Sequence, residues 1–414
     1  MTRTPGGGFG PWRVLRDPTF AVYALSGWVS TIGYWVQRIA IQWVAWDLTH
    51  SFAWLGIVAL AEAVGLILVM PVGGALADRM DRLVLARRAR ACELLVALSL
   101  ALTVFSGAMT IHWLVPLVVL AGAAQGLWSP ARMAMIPNLV PVADVPAALA
   151  LGATLFHLSH FVGPVVAGWL ITGAGVGYAF VCNAMTFVLS LVVLSVIRLQ
   201  RHEHESGTRS SLFSGVVEGV RYIRRHPAIG PLVGAGLVMS VALRSYRELL
   251  AGYADDLFAQ GADGLAALAS GSGLGALLAA LTMATYARTR GLSRILITCM
   301  AANTIAQTGF ALAPRFELAV FAAGALGFLV TALGMSAQIL LQNAVPGAKR
   351  GRVMSLWGVL FFAGPPLGAW FAGTLAMTIG IRGALLILSA GVAIYLVPLV
   401  RHRRALAQLE TGVD

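Results

Sequence analysis

The sequence predicts an all-α polytopic membrane protein with twelve transmembrane helices arranged as two six-helix bundles. Three observations predict it. Of the 414 residues, 58% are apolar and only 11% charged, where soluble domains carry about 25% charged residues. Apolar runs of roughly 20 residues, enough to cross a bilayer as helices, recur along the chain. The cations gather in every second loop, as they do when arginine is retained on the cytoplasmic side. A soluble enzyme, a nucleic-acid binder and a disordered chain are excluded by the same composition. The formal charge of +12 therefore calls for no polyanionic partner.

The runs fall at roughly 19–46, 53–76, 84–108, 113–136, 147–172, 176–198, 229–253, 264–287, 292–313, 317–341, 352–378 and 383–400. Arg79, Arg82, Arg87, Arg88 and Arg90 follow the second, and Arg132 ends the fourth. Arg198, Arg201, Arg209, Arg221, Arg224 and Arg225 follow the sixth. Arg288, Arg290 and Arg294 follow the eighth, Lys349, Arg350 and Arg352 the tenth, and Arg401, Arg403 and Arg404 the twelfth. The alternate loops hold only Arg315 and Arg382, with acids such as Asp255, Asp256 and Asp263. This places both termini in the cytoplasm. A miscount by one helix would break the alternation. The organisation expected is a cytoplasmic lead over 1–18, a bundle over 19–198, a cytoplasmic linker over 199–228, a bundle over 229–400 and a cytoplasmic tail over 401–414.

The halves resemble each other. Val140-Pro141 precedes Gly163-Pro164 in helix 5, and Val345-Pro346 precedes Gly364-Pro365 in helix 11. Such repeats are common in secondary transporters, whose sites lie at the repeat interface near mid-bilayer. The three cysteines sit in separate runs without metal or disulfide spacing. No phosphate loop or nucleophile motif is present, so no enzyme activity, metal or cofactor is expected.

A charge at mid-bilayer costs at least about 2.5–3.5 kcal/mol, so it needs a partner or a wet cavity. Helix 1 carries Ser26, Ser30, Tyr34, Arg38 and Gln42 at four-residue spacing, one polar stripe. Helix 7 carries Ser240, Arg244, Arg247 and Glu248. Helix 4 offers Gln125, Ser129 and Arg132, and helix 10 offers Gln338 and Gln342. Glu62 and Arg38 lie at similar depth on antiparallel helices, which predicts an ion pair, structural or remade during transport. Arg244 and Glu248 stand four apart, which predicts a second; Arg247 and Glu248 could instead cap an outer gate. His157 and His160 in helix 5 could carry a proton or simply pack in the core. Pro164 and Pro365, with Gly163 and Gly364, loosen helix hydrogen bonding and allow bending or close packing. The aromatics of helix 1, with Trp357, Phe361 and Phe362 of helix 11, suit membrane anchoring, packing or stacking on an aromatic cargo.

The stretch Gly74-Ala-Leu-Ala-Asp78-Arg79-Met-Asp81-Arg82 resembles the GxxxDR loop motif of the major facilitator superfamily, departing at Asp81 (often glycine) and Leu83 (often basic). Ser159 to Gly168 resembles that superfamily's antiporter motif. WVQRIAIQWVAWDLTHS, SPARMAMIPNLVP and QNAVPGAKRGRVMSLWGVLFFAGPPLGAW narrow the resemblance to the branch that holds the enterobactin exporter and the macrolide and multidrug exporters. The resemblance implies a cavity lined by helices 1, 4, 7 and 10. Its substrate contacts would be Tyr34, Arg38, Gln42, Gln125, Arg244, Arg247, Gln338, Gln342, Trp357 and Phe361. Glu62, His157 and Glu248 would couple protons. Asp78, Arg79, Arg82, Arg132 and the two glycine-proline pairs would gate, with Asp78 facing the start of helix 11 near Arg352. The motif arginine expected near Gln125-Gly126 is replaced by Gly122, a departure that weakens the implied proton coupling.

The function so implied is export of a small amphipathic, siderophore- or drug-like molecule from the bacterial inner membrane by alternating access and proton antiport. An anionic or zwitterionic cargo suits the mildly cationic stripes, and a monomer is expected. The alternatives are a lysophospholipid flippase of the same fold and, from another class, a non-transporting membrane receptor or assembly partner.

Overall fold

The structure is a computed structural model that describes residues 11–197, 221–223, 226–285 and 291–410. Most of the expected linker, with Arg198, Arg201, Arg209, Arg224 and Arg225, lies outside the described residues, as do Arg288 and Arg290.

Ten helices precede one long helical run. They are α1 (Pro18–Thr49), α2 (Phe52–Arg79), α3 (Arg82–Phe105), α4 (Ile111–Met135), α5 (Val145–Gly173), α6 (Val176–Val196), α7 (Ile229–Phe258), α8 (Gly261–Thr285), α9 (Leu292–Ala311) and α10 (Phe316–Ala344). The run Gly347–Arg401 is divided at Gly380, whose φ of +73° lies outside the helical region. That residue type reverses the chain without strain. It separates α11 (347–379) from α12 (381–401), which completes twelve. A short α13 (Arg403–Gln408) follows. The described residues are nearly all helical and hold no strand. In a bilayer only such elements satisfy every backbone group internally. Large apolar side chains, among them Leu68, Leu102, Trp169, Phe321 and Ile394, cover the outside, which suits lipid contact.

Several ends follow from local sequence. Asp17 caps α1 by accepting the Phe20 amide, with Pro18 in the first turn. Asp81 caps α3 by accepting the amides of Leu83 and Val84, so the departure from the loop motif at this position serves as an N-cap. The basic residues Arg87, Arg88 and Arg90, grouped above with the loop after helix 2, belong to α3 itself.

Helices α1–α6 pack mainly among themselves, as do α7–α12. The glycine-proline repeat corresponds to a repeated contact. A Cβ on Gly163 of α5 would lie 2.4 Å from the Trp35 Cβ of α1, and one on Gly364 of α11 would lie 2.3 Å from the Ser240 Cβ of α7. The halves meet along α2–α11 and α5–α8. These contacts belong to the end opposite the termini: Gly56 of α2 lies against the Trp370 backbone of α11, and Gly373 of α11 against the Phe52 carbonyl of α2. Towards the end that holds the termini, Gly74 of α2 and Gly351 and Gly358 of α11 face open space. The bundles are thus closed at the far end and parted at the terminal end.

Candidate functional site

Where the bundles part, a chamber of about 1240 Å³, including its opening, penetrates to mid-depth. Arg38, Glu62 and Glu248 stand ten or eleven residues from the far ends of α1, α2 and α7. At about 1.5 Å per residue this is the middle of a bilayer.

Helix α7 is not regular here. Residues Met239–Leu243 form one π turn and Ser245–Leu249 a 3-10 turn. Such defects loosen backbone pairing and commonly mark functional positions. The Gln307 amide of α9 donates to the Ala242 carbonyl at 3.0 Å, which satisfies a group beside the break. The changed phase separates Arg244 from Glu248. The expected i,i+4 pair therefore does not form, because four residues span one turn only in a regular α-helix.

Glu248 instead reaches across to the other bundle. Its Oε1 accepts from Arg38 Nη2 at 2.6 Å, and its Oε2 from Gln42 Nε2 at 3.2 Å. The expected Arg38–Glu62 pair is present only as a longer contact of 3.8 Å, bridged by Tyr34, which donates to Glu62 at 3.1 Å and accepts from Arg38 at 3.2 Å. Arg38 thus joins two carboxylates from opposite halves.

Arg244 lies over the Phe361 ring at 3.7 Å and donates to the Phe361 carbonyl at 3.3 Å. Arg247 contacts His160 Nε2 at 3.4 Å, while its Nε and Nη2 are buried donors without a partner. Three guanidiniums face two carboxylates, and both carboxylates are turned to Arg38. Trp35, Phe156, Phe361 and Phe362 supply aromatic wall. Beyond the chamber, the Trp46 indole donates to Asp255 at 2.8 Å, closing the far end between α1 and α7.

Tyr34, Arg38, Gln42, Glu62, Gln125, Pro164, Arg244, Arg247, Glu248, Phe361 and Pro365 all line this chamber. Other expected positions lie elsewhere. Gln338 and Gln342 are exposed and off its lining, because α10 turns its buried face towards α8 and α9. Trp357 is buried against Gly236 of α7, a packing contact. His157 is off the lining while His160, one turn on, is part of it, so of the two it is His160 that faces the chamber. Asp78 and Arg79 are exposed, and Asp78 makes no hydrogen bond or ion pair among the described residues. The halves are apart there, so Asp78 is not engaged with α11. Arg82 donates to Asn138 Oδ1 at 2.8 Å and to the Ala134 carbonyl. The stripe of α1 also divides. Four-residue spacing drifts by about 40° per step, so Ser26 and Ser30 bond the backbone at Tyr23 and Thr186 while Tyr34, Arg38 and Gln42 face the chamber.

One buried pair was not foreseen: Arg90 and Glu93 of α3, 2.6 Å apart with side chains 5% and 6% exposed, the guanidinium lying 3.6 Å over Trp128. An acid within an apolar run was the available signal; the crowd of arginines before it made the segment resemble loop.

Residues 9–413 match the transmembrane secretion effector family of the major facilitator type. The chain belongs to that family. Among the relatives of this secretion effector chain, the multidrug efflux pump Tap of Mycolicibacterium fortuitum is 28% identical over 374 residues, covering 86% of this chain and 89% of Tap. The enterobactin exporter EntS of an Escherichia coli strain is 25% identical, covering 95% of each chain. The fold is similar to a solved POT family transporter (TM-score 0.74, 13% identity, 94% of this chain and 97% of that one). It is also similar to a bacterial homolog of the human lysosomal transporter Spinster solved inward-facing and unoccupied (TM-score 0.64, 15% identity, 96% and 98%). The protein is accordingly a multi-pass membrane transporter of the secretion type rather than an enzyme.

Proposed function

We propose that this secretion effector exports a small anionic or zwitterionic amphipathic molecule, siderophore- or drug-like, from the bacterial inner membrane in exchange for protons, as a monomer with both termini cytoplasmic. Glu248 carries the reading: a carboxylate of one bundle bonded to Arg38 of the other, on the seal between chamber and far side. With the termini in the cytoplasm, the described state is open to the inside. Cargo entering from the cytoplasm meets Arg244 and Arg247, which make no ion pair among the described residues, and stacks on the aromatic wall. Cargo bound at the arginines competes for Arg38, the seal at Glu248 loosens, and the bundles rock about the α2–α11 and α5–α8 contacts. Asp78 then meets α11, whose N-terminal dipole favours an anion. In the outward-open state a proton from outside neutralises Glu248 or Glu62 as the cargo leaves. After the return to the inward-open state that proton is released to the cytoplasm and the carboxylate pairs with Arg38 again.

The test is a pH jump across proteoliposomes, with cargo found by growing a deletion strain under iron limitation and on a macrolide panel. Glu248→Gln and Glu62→Gln are expected to fold normally yet lose pH-driven transport by at least about tenfold. Unchanged pH-driven rates in both variants would reject the coupling.

A further inference from the structure

A second pocket, about 1060 Å³ with its mouth, lies inside the first bundle between α1, α4 and α5, nearer the terminal end than the chamber. The two share Tyr34, Gln125, Ser129 and Phe156 as a common threshold. We propose that this pocket is a separate loading site for the anionic head of an amphipathic molecule, with Arg132 as its receptor, occupied before the central chamber. The inference rests on the cytoplasmic orientation proposed above.

The charges facing the pocket are few. Arg132, three residues before the end of α4, makes no hydrogen bond or ion pair among the described residues. Arg90 of α3 also lines it, but Arg90 already holds Glu93, the carboxylate nearest to it. Glu93 lines the neighbouring small pocket rather than this one. From α1 come Tyr23 and, at the threshold, Tyr34, and from α5 and α6 no ionisable group. One positive charge is therefore left over among the described residues. Residues of the same lining carry buried groups without a partner: Tyr23 Oη, Trp28 Nε1 and Arg90 Nε. Two of the three can only donate, and Tyr23 and Arg90 are 9% and 4% exposed. An unmatched guanidinium with further donors selects an anion and repels a cation. The rings of Phe20, Trp28, Trp128 and Phe156 suit a flat apolar body attached to it. The ligand class is thus a carboxylate, phosphate or sulfonate on an aromatic or acyl body, drawn either from the cytosol or from an anionic lipid of the inner leaflet.

The experiment uses the full chain in phosphatidylcholine nanodiscs without a gradient, titrated with 1-naphthoate and followed by tryptophan quenching against empty nanodiscs. Arg132→Gln is expected to weaken binding at least tenfold, and Arg132→Lys to retain most of it, with unchanged melting temperatures. 1-Naphthylmethylammonium is expected not to bind. Equal naphthoate affinity in Arg132→Gln, or equal binding of the cation, would overturn the proposal. So would loss of binding in Arg38→Gln with full retention in Arg132→Gln, which would place the probe in the central chamber. Nanodiscs containing phosphatidylglycerol separate the sources: displacement of naphthoate identifies a lipid ligand, and unchanged affinity a soluble one. Because no transport is measured, failure of the export reading leaves this result standing, and the reverse also holds.

Discussion

Arg90 and Glu93 show what one buried charge demands of its neighbours. Their 2.6 Å contact sits among apolar residues of α3, α4 and α6, with Trp128 and Phe187 rings against the guanidinium. Removing one partner of such a pair leaves an uncompensated charge, a loss of about 3–5 kcal/mol. Glu93→Gln is expected to lower the melting temperature of the detergent-solubilised protein clearly, and Glu93→Leu with Arg90→Leu to recover most of it. A melting temperature unchanged in the single variant would show that the pair contributes little to stability. Glu62 and Glu248 differ in kind. They line the chamber, where a glutamine oxygen can still accept from Arg38, Gln42 or Tyr34, so the expected effect falls on transport rather than folding. The intramembrane position of Arg38 and Glu62 is legible in sequence because charged residues are rare in apolar runs. Glu93 shares that property and was obscured by the arginines preceding it.

At the scale of elements, caps and breaks decide where the helices stop and which way they face. Beyond the bundles, the Glu410 carboxylate accepts from the Gly291 and Ser293 amides and from the Ser293 hydroxyl at 2.7, 2.9 and 2.6 Å, tying the tail to the start of α9. Burial raises its pKa, but the Ser293 hydroxyl and the two amides outweigh this and hold it below the usual glutamate range. A depressed folded-state pKa means that the clasp is fully present above the unfolded value, about 4.3, and is lost as pH falls through the lower folded one. At pH 7 the tail is therefore expected to be docked. Glu410→Gln is expected to speed exchange of the Gly291 and Ser293 amides at that pH, as hydrogen-exchange mass spectrometry of the 285–300 region can read. Equal exchange in both proteins would mean that the contact is unimportant in solution. No periodicity announces a clasp of this kind, since its partners are over a hundred residues apart. The π and 3-10 turns of α7 are equally silent in sequence, and they separate Arg244 from Glu248.

For the whole molecule the decisive feature is which end is closed. The far end is held by the Trp46–Asp255 bond and the close backbones at Gly56 and Gly373, backed at mid-depth by the Arg38–Glu248 pair. A hydrogen bond to a charged acceptor contributes about 1.5–3 kcal/mol, a factor of roughly ten or more in a two-state ratio. Asp255→Ala, which removes the acceptor, is expected to shift the population towards the opposite state. Spin labels at Ala75 of α2 and Ser355 of α11, both exposed near the terminal end, are expected to show a shorter distance component in that variant. An unaltered distance distribution would show that Asp255 does not hold the gate.

Sequence by itself determined the helical crossings, because a bilayer forces long apolar runs and isolates every charge within them; its loop and helix 5 motifs carried the resemblance to the family. It also placed Arg38 and Glu62 near one depth, since helical rise converts residue count directly into depth. Only tertiary structure decided which charge meets which. Rotation about each helix axis, the break in α7 and the approach of the two bundles assign Glu248 to Arg38, leave Gln338 and Trp357 outside the chamber and part the halves at one end. Those are properties of packing between segments remote in the chain, which one-dimensional spacing does not encode.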